Sequence, residues 1–154
     1  MIIDFFSALY EWFGLIAFYS NDLADHLKGW DMLCEDYTGT PWYVYVGWLM
    51  LLVVGLAYVF QYHVYDRSHF NKKQHWWLMA LIVVILNFLI AFTFPYNALQ
   101  AGDHCMDLYW SIPDCAGFGL SNALWSFIFF VGISWLPYPR RFSTNCSHTT
   151  FWKP

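Results

Sequence analysis

The sequence predicts an all-α integral membrane protein with four transmembrane helices and both termini cytoplasmic. Three observations predict it. The chain is 59% hydrophobic and only 12% charged, against about 45–50% and about 25% in an average soluble domain. Three stretches reach the about 20 apolar residues that a bilayer core demands without a single charge. The basic residues also segregate to one side of those stretches, as membrane insertion favours.

The three clear spans are residues 42–62, 76–94 and 118–136. Pro41, Pro95 and Pro137 flank them, where a missing N–H costs least. Residues 2–19 form the fourth span, with Asp4 and Glu11 interrupting an otherwise apolar and aromatic run. The alternative is three spans plus an N-terminal helix lying in the interface. Apolar residues on both sides of Glu11 favour the span. MIIDFFSALY lacks the basic start of a removable signal, so the segment is expected to be retained.

The hairpin at 65–75 carries Arg67, Lys72 and Lys73, and the tail at 137–154 carries Arg140, Arg141 and Lys153. These are six of the seven basic residues, and only Lys28 lies elsewhere. The positive-inside rule makes their side cytoplasmic, as in a bacterial inner membrane. The outer loops, 20–41 and 95–117, hold Asp22, Asp25, Asp31, Glu35, Asp36, Asp103, Asp107 and Asp114. Trp42, Tyr43, Trp76, Trp77, Tyr96, Trp135 and Tyr138 lie near span ends, where amphipathic rings suit the headgroup region.

Composition excludes nucleic-acid binding, since there is no basic stripe. The nearest approach to a nucleophile–base pair is DHC at 103–105, and it is read as non-catalytic. No cofactor is legible, because apolar pockets leave no short motif.

The stretch QYHVYDRSHFNKKQHWW holds His63, His69 and His75, six apart, with Asp66 between them. His63 and Asp66 share a helical face at i, i+3. His69 falls about 120° away at 3.6 residues per turn, which disfavours three ligands on one helix. A contact surface for headgroups or a partner is the first reading. A metal site built from His63, Asp66, His69 and His75 and a pH sensor are the alternatives.

Inside the spans the polar candidates are Glu11, Asn87, Asn122, Ser126 and Ser134. An intramembrane carboxylate such as Glu11 is costly and often functional; the alternative is a shallow first segment with Glu11 near the interface. Asn87 is expected to bond a neighbouring helix. Asn122, Ser126 and Ser134 approximately share a face. Gly47 with Gly55, and Gly119 with Ala123, are the candidates for close helix approach.

Cys34, Cys105 and Cys115 fall on the outer side and Cys146 on the cytoplasmic side. In DHCMDLYWSIPDC, Cys105 and Cys115 are ten apart with Pro113 between them. They are the expected disulfide in an oxidising compartment; Cys34 then stays free, pairs with a partner, or replaces one of the two. This layout resembles the DsbB family of membrane thiol oxidoreductases, small four-helix proteins with cytoplasmic termini and cysteines in both outer loops. The resemblance implies thiol oxidation with electrons passed to a quinone-reactive site. The family's first outer loop carries Cys-X-X-Cys; here LCEDY has Cys34 alone, with Tyr37 in the second position.

The functional expectation is a structural or accessory subunit of a larger membrane complex. Its partners are the bilayer and other membrane subunits or identical copies, not nucleic acid. The alternatives are a homo-oligomeric channel or membrane-perturbing effector, with Glu11 or the Asn122 face lining the path, and the thiol oxidoreductase.

Overall fold

The computed structural model describes residues 2–11, 15–64 and 73–135. In chain order these form α1 (Ile2–Glu11), a 3₁₀ helix (Leu15–Phe18), α2 (Asn21–Lys28), α3 (Trp42–Val59) with a π turn at Phe60–Val64, α4 (Lys73–Ala101) and α5 (Ile112–Trp135). Among the described residues there is no strand. Three helices are long and apolar enough to cross a membrane: Trp42–Tyr62, Gln74–Ala101 and Ile112–Trp135.

These three are arranged inside-out relative to a soluble bundle. Tyr45, Trp48, Leu52, Leu56 and Val59 on α3 are exposed, as are Leu120, Leu124 and Ile128 on α5. The buried positions mix large apolar residues such as Met50, Val54, Trp76, Phe118 and Phe130 with small or polar ones: Ala80, Asn87 and Ala91 on α4, Ser121, Asn122, Ala123 and Ser126 on α5. Lipid tails are as apolar as leucine, so burying leucine gains little there. Small residues gain van der Waals contact by letting backbones approach.

The N-terminal stretch departs from the expected span. α1 has ten residues, about 15 Å at 1.5 Å per residue against a hydrocarbon core of about 30 Å. It runs antiparallel to the start of α3. The Phe6 ring lies against Gly47, and the Tyr10 ring stacks on Tyr43 at 5.4 Å. On its other side Trp125 Nε1 of α5 donates to the Leu9 carbonyl at 2.9 Å. The 3₁₀ helix then follows, and the Phe18 carbonyl packs into the space beside Gly117.

Two span ends also differ from the sequence reading. α4 does not stop before Pro95; it continues through that buried proline to Ala101. A proline in a membrane helix frees a backbone carbonyl but costs less than unwinding in lipid. Phe88, Phe92 and Tyr96 stack along the helix at 6.0 and 5.3 Å, bracing it across the break at i, i+4 spacing. α5 begins at Ile112, six residues before the expected 118. The Asp114 carboxylate accepts from the Ser111 N–H at 2.8 Å and from its hydroxyl at 2.6 Å, and Pro113 occupies the first turn. What reads as an outer-loop turn is a helix start, with proline where its missing N–H is harmless.

The expected glycine contacts divide. A side chain at Gly119 would meet Phe88 of α4 and one at Gly47 would meet Phe6, but one at Gly55 would meet nothing within 4 Å. Eight residues separate Gly55 from Gly47, a rotation of about 80°, which carries it off the contact face. Ala123 is buried on the same α5 face as Gly119. Gly117→Ala should therefore cost about 1–3 kcal/mol, because its Cβ collides with backbone rather than with a movable side chain. Gly55→Ala should be neutral or stabilising by up to about 1 kcal/mol from helix propensity. Thermal unfolding of the two variants in detergent checks the contrast.

Candidate functional site: the outer cap

One end of the bundle is closed by a cap built from α2 and the loops at 29–41 and 102–111. α2 is well delimited. The Ser20 hydroxyl accepts from the Leu23 N–H at 3.3 Å, and Gly29 ends the helix at φ 104°, a left-handed conformation that glycine adopts without strain. The helix buries Leu23, Ala24, His26 and Leu27. Its last residue, Lys28, reaches Glu11 at 3.0 Å and Asp25 at 3.6 Å.

From that ion pair a chain of hydrogen bonds descends into the bundle. The Tyr43 hydroxyl donates to the Glu11 carboxylate at 3.2 Å and lies 3.0 Å from the Tyr19 hydroxyl. Tyr19 donates to the Tyr10 carbonyl at 3.3 Å. The Tyr10 hydroxyl donates to Asn122 Oδ1 at 2.7 Å, and Asn122 Nδ2 donates to the Asn87 carbonyl at 2.8 Å. Asn87 Nδ2 turns back to Val83 of its own helix at 3.0 Å. The chain thus ends on carboxamides and backbone carbonyls, which neither gain nor lose a proton at ordinary pH. It fastens α1, α3, α4 and α5 together and has no acid–base group at its inner end.

This geometry places several sequence candidates. Glu11 is not a lone midplane carboxylate. It sits at the cap end, 23% exposed, paired with Lys28, the one Lys or Arg outside residues 65–75 and 137–154. Burial pushes the Lys28 amine down, but the bond and charge of Glu11, helped by Asp25, outweigh it and leave the amine raised. Asn87 joins another helix through its carbonyl, not through its side chain. Ser126 donates to the Ala123 carbonyl at 2.8 Å, and Ser134 accepts from Trp76 Nε1 at 3.4 Å; Asn122, Ser126 and Ser134 all face the chain's own interior.

The expected Cys105–Cys115 disulfide is replaced by Cys34–Cys105, whose Cα atoms lie 5.4 Å apart. Cys115 is free and buried. The reason is the early start of α5, which takes Cys115 into its first turn while Cys105 stays in the loop. The bond closes a sequence separation of 71 residues, which constrains the unfolded chain by about 4 kcal/mol in the loop-entropy account. The two sulfurs and the Asp107 carboxylate lie within 4.8 Å of one another, but sulfurs bonded to each other are not thiolate ligands. Asp22 adds a second tie between the loops by accepting from the Tyr109 N–H at 3.1 Å.

Beside the disulfide, Trp110 lies between two imidazoles, His26 at 4.7 Å and His104 at 4.6 Å. His26 is 6% exposed, and neither of its ring nitrogens has a hydrogen-bond partner. Burial, with the His104 charge added, lowers His26 to about 4. His26 also lines a cavity of about 570 Å³ together with Trp30, Asp31, Thr38, Trp42 and Asp103.

Of the hairpin candidates, Asp66 and His69 lie outside the described residues, and His63 is described only as backbone in the π turn. His75 lines a small cavity of about 130 Å³ with Phe60, Gln61 and Met79. No family model, curated protein or solved structure matches this chain.

The Tyr10, Tyr19 and Tyr43 cluster, His26 and Trp110 escaped the sequence reading. The tyrosines sit among apolar neighbours and look like interfacial rings. Lys28 was the available signal: a single cation on an acidic face invites a search for its carboxylate.

Two outcomes are expected. Peptide mapping without reduction should recover a Cys34–Cys105 cross-link, with Cys115 alkylated only after unfolding; a Cys105–Cys115 peptide would contradict the structure. The second concerns pH. His26 is held neutral in the fold, so the unfolded chain binds the extra proton first. Its contribution is full above about pH 6.5 and declines as pH falls toward 4. The groups facing it are His104 across Trp110, and Asp31 and Asp103 across the cavity. Replacing His26 with Phe should flatten the fall in melting temperature between pH 6.5 and 4.

Proposed function

We propose that this chain is a structural or accessory subunit of a larger membrane assembly. The observation that carries the reading is where its polar groups go. Asn122, Ser126 and Ser134 are 0%, 0% and 2% exposed and find their bonds inside one copy. The lipid-facing surfaces of α3, α4 and α5 are left almost wholly apolar. A groove of about 510 Å³ between α3 and α4, lined by Val53, Leu56, Ala57, Met79, Ile82 and Leu86, offers one such surface to a neighbouring helix.

The helix lengths favour three full spans with α1 at half depth, rather than four spans. The charge distribution then sets the tail on the cytoplasmic side and the acidic cap outside, as in a bacterial inner membrane. A disulfide between the two outer loops agrees with that side being oxidising. The channel reading would need a polar face turned outward, and the candidates for that face are consumed within the chain. The thiol oxidoreductase reading would need a second cysteine able to exchange with Cys34 or Cys105. Cys115 is buried, which favours a structural role for the bond.

Native mass spectrometry after gentle extraction from the parent membrane tests the proposal. Particles containing other chains are the expected result. Rings of identical copies that conduct ions when reconstituted would replace it with the channel reading.

A further inference from the structure

We propose that the cap is a redox-gated site for a soft divalent cation such as zinc, held after reduction by the thiolates of Cys34 and Cys105 and the carboxylate of Asp107. The proposal is independent of the accessory-subunit reading.

Convergence of the ligand atoms carries it. The two sulfurs and a carboxylate oxygen of Asp107 lie within 4.8 Å of one another. Around a tetrahedral zinc ion, with bonds of about 2.3 Å to sulfur and about 2.1 Å to oxygen, ligand atoms stand about 3.6–3.8 Å apart. The Cα atoms of Cys34 and Cys105 are 5.4 Å apart, near enough for both sulfurs to reach one ion. A fourth position is left to water. Sulfur ligands select zinc over calcium or magnesium, which take oxygen. The loops at 29–41 and 102–111 contain no lysine or arginine, so no side-chain cation of their own competes for the three anions.

The sulfurs stay neighbours when the bond between them is reduced, because each loop has its own ties. In the first loop the Cys34 N–H donates to the Asp31 carbonyl at 3.3 Å, the Asp31 N–H to the Asp36 carbonyl at 2.9 Å, and the Gly39 N–H to the Gly29 carbonyl at 2.8 Å. In the second, the Leu108 N–H donates to the Cys105 carbonyl at 3.1 Å, and the Tyr109 N–H to Asp22 of α2 at 3.1 Å. The Asp107 N–H also donates to Cys105 Sγ at 3.4 Å. Such a bond strengthens when the sulfur is charged and steadies a metal-bound thiolate.

The gate is a two-electron exchange with a dithiol. One thiolate of the dithiol attacks Sγ of Cys34, which is half-buried. The electron pair of the broken S–S bond leaves on Sγ of Cys105, a fully buried residue, beside the Asp107 N–H. The second thiolate then displaces Cys34 from the mixed disulfide. The dithiol ends as a cyclic disulfide, its two electrons and two protons having passed to the cysteines, and metal binding releases the protons.

The test uses the full chain in nanodiscs of uncharged phosphatidylcholine, reduced with dithiothreitol, desalted without oxygen and titrated with Co²⁺ and then Zn²⁺. One cobalt per chain should give the thiolate-to-metal charge-transfer band and visible bands of a tetrahedral site, and zinc should displace it. The oxidised protein should give neither band. Replacing Cys34 and Cys105 together with serine should abolish the bands. Asp107→Asn, at an exposed position, should weaken both metals about 10–100-fold with the melting temperature unchanged. Cys115→Ser and Cys146→Ser, at the two other cysteines, should bind as the parent does. Absence of the bands in the reduced parent overturns the proposal. So do bands that survive loss of Cys34 and Cys105, or full affinity in Asp107→Asn.

Discussion

The carboxamide of Asn122 holds the bundle in its observed form. One atom of it accepts from Tyr10 of α1, and another donates to the backbone of α4 at Asn87. Three elements therefore meet at one side chain with no exposure to solvent or lipid. Such a bond in a membrane interior averages about 0.6 kcal/mol, but its loss would strand a tyrosine hydroxyl and a carboxamide where no water can replace the partner. Gly119 and Ala123, on the neighbouring turns, allow the close approach that brings α4 within reach.

From that point the molecule divides into unequal halves. The outer half holds α1, the tyrosine cluster, α2 and the disulfide, and its core joins Phe6, Tyr10, Tyr43, Trp110 and Phe118. The inner half is three helices around Val54, Trp76, Val83 and Phe130. The half with α1 carries the tyrosine–asparagine hydrogen bonds. The other half is left with an apolar groove between α3 and α4.

The discrepancies between sequence and fold share one cause. Pro95, Pro113 and the Cys105–Cys115 spacing were all read as local signals, and each was resolved by a longer-range arrangement. An aromatic stack carries α4 through Pro95. The Ser111–Asp114 bonds convert a turn into a helix start, and that start removes Cys115 from the loop. Cys34 is then the thiol that faces Cys105, although 71 residues separate them. Glu11 illustrates the same point: its ion-pair partner is Lys28 of α2, which no local signal indicates.

The sequence by itself determined the class of protein, three of its spans, and the separation of basic from acidic faces. These depend on composition and length, which the bilayer tests residue by residue through the cost of burying charge and backbone. Tertiary structure decided the cysteine pairing, the packing of the short α1 against α3 and α5, the tyrosine–asparagine seam and the cavity beside His26. Those depend on which side chains meet after the helices assemble. Nothing in the spacing of residues 10, 43, 87 and 122 along the chain records that they converge.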